Sequence, residues 1–263
     1  MKKNLFIAVF CLLSFYAKAQ TDSISVVFKE KISFEKARFQ GVDKYQNIYL
    51  SQNNVFYKYQ NKEEYRFFDP QLGTLTSVDL LNPLRITLFY RDVNTVVILD
   101  DRLNEITRVN FNTNKNFRTV SFASTCLDQS IWIFNLDRQH LERFDYRRNR
   151  KVSQSPPIDE KIIVQNSNFN FCWLLGEKHL MQYNSYGSLT QSYPAKNIDF
   201  FVEDHERVII LKNRSFAIKL KNSSEFRPLK GIKNKAKEFY LSNENLYLYD
   251  GESVFHYQLK LPN

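Results

Sequence analysis

The sequence predicts an all-β chain folded as a single β-propeller of about six blades, on three observations. Six stretches repeat one pattern: a polar turn, a short apolar strand, a second turn and another apolar strand. With Ile48, Ile86, Ile131, Cys172, Val208 and Leu246 as anchors, the spacings are 38, 45, 41, 36 and 38 residues. Multi-strand repeats of about 40 residues mark propeller blades, each too thin to bury its own faces and therefore stacked on its neighbours. The composition agrees, with 15 Tyr and 23 Phe against two Met, and no Pro-, Gly- or Ser-rich linker divides the chain. Setting aside a 19-residue leader from 263 leaves 244 residues, and 244/6 is close to 41 per unit. That length holds four strands of typical size with their turns. Five or seven blades also fit repeats this weak.

The elements follow in order. Residues 1–19 read as a cleavable signal peptide. Lys2 and Lys3 open it, Leu5 to Tyr16 form an apolar run too short for a bilayer, and Ala17-Lys18-Ala19 supplies the cleavage box. Cys11 lies inside the apolar run after bulky Phe10, which argues against a lipoprotein. Residues 20–263 are then the propeller domain, exported and placed in the periplasm of a two-membrane cell. Ile24 to Phe28 is a spare strand ahead of the first unit. That unit supplies four strands, near Lys36 to Val42, Asn47 to Ser51, Val55 to Tyr59 and Glu63 to Phe68. The last unit has only three, near Ala236 to Leu241, Leu246 to Tyr249 and Val254 to Leu259. The spare strand is expected to pair with the last unit and close the ring, which removes exposed edges.

Strand character varies as stacking requires. Val96 to Leu99 and Val208 to Leu211 are continuous apolar runs, expected where neighbours cover both faces. Arg66-Phe67-Phe68 and Glu142 to Tyr146 mix charge with aromatics and read as outer strands. A transmembrane barrel needs strands of roughly ten residues with one lipophilic face, and these are shorter, with charge on both parities.

Chemistry is sparse. His140, His179, His205 and His256 show no metal-ligand spacing. No P-loop, nucleophile elbow or dinucleotide glycine pattern occurs, and the chain holds six glycines. Asp100-Asp101, Asp159-Glu160 and Glu203-Asp204 read as solvated turns rather than glycosidase pairs, which must face each other across a cleft. Cys126 and Cys172 read as buried thiols, with a disulfide as the export-compatible alternative. Trp132 and Trp173 take equivalent places after their anchors, which points to packing between blades. The residues therefore imply no enzyme, cofactor or metal.

Charge marks a candidate surface. Removing Lys2, Lys3 and Lys18 from 37 Lys and Arg leaves 34 against 28 acidic residues, a net of +6. Arg143, Arg147, Arg148, Arg150 and Lys151 cluster around one turn, suited to an acidic partner or anionic lipid. Lys230 to Lys237 is a second basic stretch. Export argues against nucleic acid as the partner.

The phrases Gln71-Leu72-Gly73, Ser77 to Leu84, Phe89 to Asp100, Cys172 to Leu175 and Tyr186 to Leu189 resemble a family of exported propeller-like proteins in bacteria that use type IX secretion. The resemblance implies a non-catalytic periplasmic protein, monomeric by itself. Its partner would be a large outer-membrane translocon barrel with its accessory subunits, whose periplasmic mouth it plugs. A chain of this size has a diameter of roughly 45 Å, which only a barrel near the 36-strand extreme would match. On this reading Asn82, Pro83, Tyr90, Arg91, Asp92 and Asn94 form one contact loop, joined by Arg147, Arg148, Arg150 and Lys151. The alternatives are an exported ligand- or glycan-binding propeller and a propeller lyase or glycosidase.

Overall fold

Short turns set the rhythm of the chain. Asn53 and Asn54, Asn61 and Lys62, His205 and Glu206, and Asn213 and Arg214 form two-residue connections with φ between 49° and 73°. Paired positive φ matches the right-handed twist of the flanking strands and closes tight hairpins. With few glycines available, asparagine and charged residues accept the left-handed conformation, at a cost of about 1 kcal/mol per residue.

The computed structural model describes residues 23–34, 37–114 and 117–261. The expected signal peptide at 1–19 lies outside the described residues. The described chain forms 24 β-strands and is a β-propeller. The first sheet is β2 (Arg38–Val42), β3 (Ile48–Gln52), β4 (Val55–Gln60) and β5 (Glu63–Phe67). The second is β6 (Ser77–Asp79), β7 (Ile86–Tyr90), β8 (Thr95–Leu99) and β9 (Glu105–Asn110). The third is β10 (Val120–Thr125), β11 (Ser130–Asn135), β12 (His140–Asp145) and β13 (Arg150–Gln154). The fourth is β14 (Ile162–Ser167), β15 (Phe171–Gly176), β16 (His179–Asn184) and β17 (Leu189–Pro194).

The remaining strands form one eight-stranded sheet. One half is β18 (Ile198–Asp204), β19 (Arg207–Lys212), β20 (Ser215–Lys219) and β21 (Phe226–Lys230); the other is β22 (Glu238–Ser242), β23 (Asn245–Tyr249), β24 (Ser253–Lys260) and β1 (Ile24–Ser33). β1 pairs antiparallel with β24 from Ser25↔Lys260 to Ser33↔Ser253, with a bulge between Phe28 and Glu30. Its first residues also pair parallel with β21, Ile24 against Leu229 and Ser25 against Lys230. The spare strand thus does more than sequence alone implied: it joins two strand groups.

Apolar side chains gather between successive strand groups. Tyr49 and Phe56 of the first sheet pack with Ile86, Leu88 and Val97 of the second. Val96 and Ile98 pack with Ile131 and Ile133, and Trp132 with Cys172 and Leu174. Trp173 packs with Phe201, Val208 and Ile210, and Ile209 and Ile218 with Phe239 and Leu248. The sixth cluster joins the chain's ends, Phe39 and Leu50 with Tyr247, Tyr249 and Val254. Polar bonds cross the same boundaries. Lys58 Nζ donates to the Asp101 carbonyl at 2.7 Å, Thr125 N–H to Asp79 Oδ2 at 2.7 Å, and Tyr240 O–H to the Phe39 carbonyl at 3.1 Å.

One strand assignment is corrected. Glu142 to Tyr146 was expected on an outer strand, but Glu142 lies in β12, third in its sheet, and is 1% exposed. Its charge is met inside by Arg118 Nε at 2.7 Å, His140 Nε2 at 2.9 Å and Asn135 Nδ2 at 2.8 Å. A buried carboxylate is tolerable only when so fully paired.

Candidate functional site

The candidate contact loop is two turns at opposite ends of β7, which corrects the expectation of one surface. Asn82 and Pro83 precede β7, while Arg91, Asp92 and Asn94 follow it. Pro83 is buried, and Tyr90 and Asn94 are 2% and 7% exposed. Asn94 is a tie between sheets. Its Nδ2 donates to the Arg118 carbonyl at 2.6 Å, and its Oδ1 accepts the Val120 N–H at 3.0 Å. Arg91 is exposed, yet its guanidinium donates twice to the Ser121 carbonyl, at 3.2 and 2.9 Å, and rests over the Phe122 ring. Asp92 stays at the surface. Hydropathy could not separate Asn94 from Asp92, because the partners of Asn94 come from the next sheet.

The second set of residues lies together at the surface. Arg147, Arg148, Arg150 and Lys151 are all exposed, at the turn between β12 and β13 and on the start of β13. Asp145 Oδ1 shapes the turn by accepting the N–H groups of Arg147 at 3.0 Å and Arg148 at 2.9 Å. Asn149 takes φ 50° there, and its Oδ1 accepts Asn114 Nδ2 at 2.8 Å. Arg143 leaves the cluster, pairing with Asp128 Oδ2 at 3.1 Å and Ser130 Oγ at 3.3 Å. Asn82 and Tyr146 line the same small cleft beside Asp128, so this end of β7 adjoins the cationic turn.

The inner strands carry a carboxylate that sequence reasoning misplaced. Glu203 was read as part of a solvated turn, but it is 7% exposed at the end of β18. Its Oε1 accepts Asn168 Nδ2 at 2.8 Å and the Glu206 N–H at 2.7 Å. Among the described residues its Oε2 has no partner. Burial pushes its pKa up to about 7, against the hydrogen bonds from Asn168 and Glu206. Asp79, which accepts the N–H groups of Leu81 and Thr125 at 2.8 and 2.7 Å, is also raised by desolvation. Asp100 and Glu160 instead cap backbone N–H groups, and the hydrogen bonds hold both below the ordinary carboxylate range although burial opposes this.

Each histidine pairs separately: His140 with Glu142, His179 with Glu160, His205 with Asp204 and His256 with Glu30. Among the described residues no three His, Cys, Asp or Glu gather as a metal site. Cys126 and Cys172 are free and buried. Trp132 and Trp173 are fully buried, which removes them as walls of an open pocket. A shallow cleft of about 570 Å³ lies between β19–β20 and β23–β24, lined by His205, Arg207, Lys221, Asn243, Glu244 and Gln258 among others. Among the described residues, no helix is long and apolar enough to cross a membrane.

No protein-family model matches the sequence, and no curated protein matches it. Solved structures match in fold. The Neurospora crassa Pan2 WD40 domain superposes with a TM-score of 0.58 at 10% identity, over 86% of this chain and 75% of that one. A streptogramin B lyase does so with a TM-score of 0.58 at 8% identity, over 91% and 99%. PorZ is described as an essential bacterial surface component of the type-IX secretion system of Porphyromonas gingivalis. It matches with a TM-score of 0.55 at 13% identity, over 86% of this chain and 33% of that one. At these identities the likeness is one of fold.

Proposed function

We propose that this chain is a six-bladed propeller, closed by its N-terminal strand and exported to the periplasm. There it acts without catalysis by docking on an outer-membrane complex, plugging the periplasmic mouth of the type IX translocon barrel. The closed ring is supported by the antiparallel pairing of β1 with β24 and by the apolar cluster between the first and last strand groups. The observation that carries the binding role is the Arg147–Lys151 turn, exposed and held in place by Asp145 and Asn149 on a β frame. A preordered surface loses little conformational freedom on docking, which favours association. The translocon as partner is supported by the resemblance of several sequence phrases to type IX propeller-like proteins, and PorZ serves that system on a similar fold.

Affinity purification of tagged protein from gently solubilised envelopes tests this reading. Recovery of a very large outer-membrane barrel supports it; repeated recovery of this chain alone retires it. Deleting the gene should then raise envelope permeability, and an unchanged leak excludes plugging.

The second reading, an exported ligand-binding propeller, is favoured by the shallow cleft between β19–β20 and β23–β24, where Leu220 and Leu261 lie among polar side chains. A glycan array with the purified chain separates the two, since saturable binding there would favour the ligand-binding role.

A further inference from the structure

The cationic turn has a second part, at the far end of the same strand. Tyr186 is 80% exposed, more than the other exposed large hydrophobic side chains among the described residues. Its position is nonetheless fixed. Asn184 Oδ1 accepts the N–H groups of Tyr186 and Ser188, both at 3.0 Å. Gly187, at φ 86°, lies so close to the end of β13 that an added Cβ would stand 2.1 Å from the Gln154 carbonyl oxygen. Ser153 Oγ donates to the Ser185 carbonyl at 2.7 Å. The Tyr186 turn is therefore clamped to the C-terminal end of β13, while Arg150 and Lys151 begin that strand. At ~3.3 Å per residue the two ends lie roughly 13 Å apart.

The cations are available. Asp145 reaches only Arg148, at 3.6 Å, and among the described residues Arg147 and Arg150 have no ion-pair partner. Lys151 donates to the neutral amide of Gln154. Val152, between the two ends, is 46% exposed.

We infer that this strip is a docking site for an extended, acidic protein segment. Its carboxylates pair with Arg147, Arg148, Arg150 and Lys151, and an aromatic or apolar side chain packs on Tyr186. Planar guanidinium groups pair carboxylates two bonds at a time. The strip is one strand long and one turn wide, which fits an extended chain of about four or five residues. An anionic bilayer engages cations spread over a plane, and that is the weaker fit. The inference rests on the partner-binding reading and names the chemistry of the partner.

The test is fluorescence anisotropy of a labelled peptide of repeated Asp-Glu-Phe with the full mature chain, beside sedimentation with phosphatidylglycerol vesicles. The peptide should bind, and more weakly as salt rises. Arg147→Gln with Arg150→Gln should lower affinity about tenfold, and Tyr186→Ser several-fold with the salt dependence unchanged. Lys233→Gln with Lys235→Gln removes equal charge from the other basic stretch and should leave binding intact. All these side chains are exposed, and circular dichroism melts check that each variant folds. Failure of the peptide to bind overturns the inference, as does equal loss in both double variants or binding to vesicles only. Loss of the barrel with peptide binding intact retires the translocon reading alone. A retained barrel with no peptide binding retires this inference alone.

Discussion

Asn168 donates from Nδ2 to Glu203 Oε1 at 2.8 Å across the boundary between the fourth sheet and β18, leaving Glu203 Oε2 buried without a partner. The bond ties two inner-strand ends together and encloses a group whose pKa is raised from 4.5 to about 7, burial being the largest cause. The neighbouring charges are Asp204, His205, Glu206 and Lys219.

That pair predicts the pH profile of stability. Between the unfolded value near 4.5 and the folded value near 7, native Glu203 holds a proton that the unfolded chain has released. This contribution therefore falls as pH rises through that window, and above it the penalty of burying the ionised form is constant. The shift corresponds to about 3 kcal/mol between the two limits. Glu203→Gln should flatten the slope and raise the melting temperature most at pH 8. Urea melts at pH 5.5 and 8 measure it; an unchanged slope in the variant would show that Glu203 is not the source.

Asn94→Ala should destabilise the chain by about 2–3 kcal/mol, because it strips buried partners from the Arg118 carbonyl and the Val120 N–H. Asp92→Ala, two residues earlier and exposed, should cost less than about 0.5 kcal/mol. Equal effects would sink the distinction between tie and surface.

Removing residues 23–33 should cost at least about 4 kcal/mol. Ile24 and Val26 are 4% and 7% exposed and leave the core with the strand, at about 1.5–3 kcal/mol each. The β24 ladder is lost as well. A melt unchanged by the deletion would rule out a closing role for β1.

Lys62→Gly and Arg214→Gly should each stabilise the fold by roughly 0.5–1 kcal/mol. Both residues hold positive φ, 73° and 63°, in exposed two-residue hairpins where glycine is at ease. Loss of stability in both would mean that the native side chains make compensating contacts.

Neither thiol should react in the native state. Burial pushes Cys126 up to about 12 and Cys172 well above its ordinary range, so almost no thiolate forms at neutral pH. Labelling of Cys126 and Cys172 with a thiol reagent should await urea. Rapid labelling before unfolding would contradict the packing of both residues.

The repeat spacing and apolar runs were enough to read an all-β propeller, because strand periodicity and turn chemistry are local. Val96 to Leu99 and Val208 to Leu211 announced burial on both faces, and all are buried but Leu211, which is half-buried. The Arg147–Lys151 turn was legible because charge density needs no partner to be seen. Asn94, Glu142, Glu203 and Tyr186 were not legible in that way. A polar residue's role depends on what the next sheet brings to it: carbonyls for Asn94, Arg118 for Glu142, Asn168 for Glu203 and the end of β13 beneath Tyr186. Sequence alone determined the strands and their rhythm. Only the tertiary structure decided which charges are buried and paired and which face outward, because pairing energy arises between residues distant in the chain and close in space.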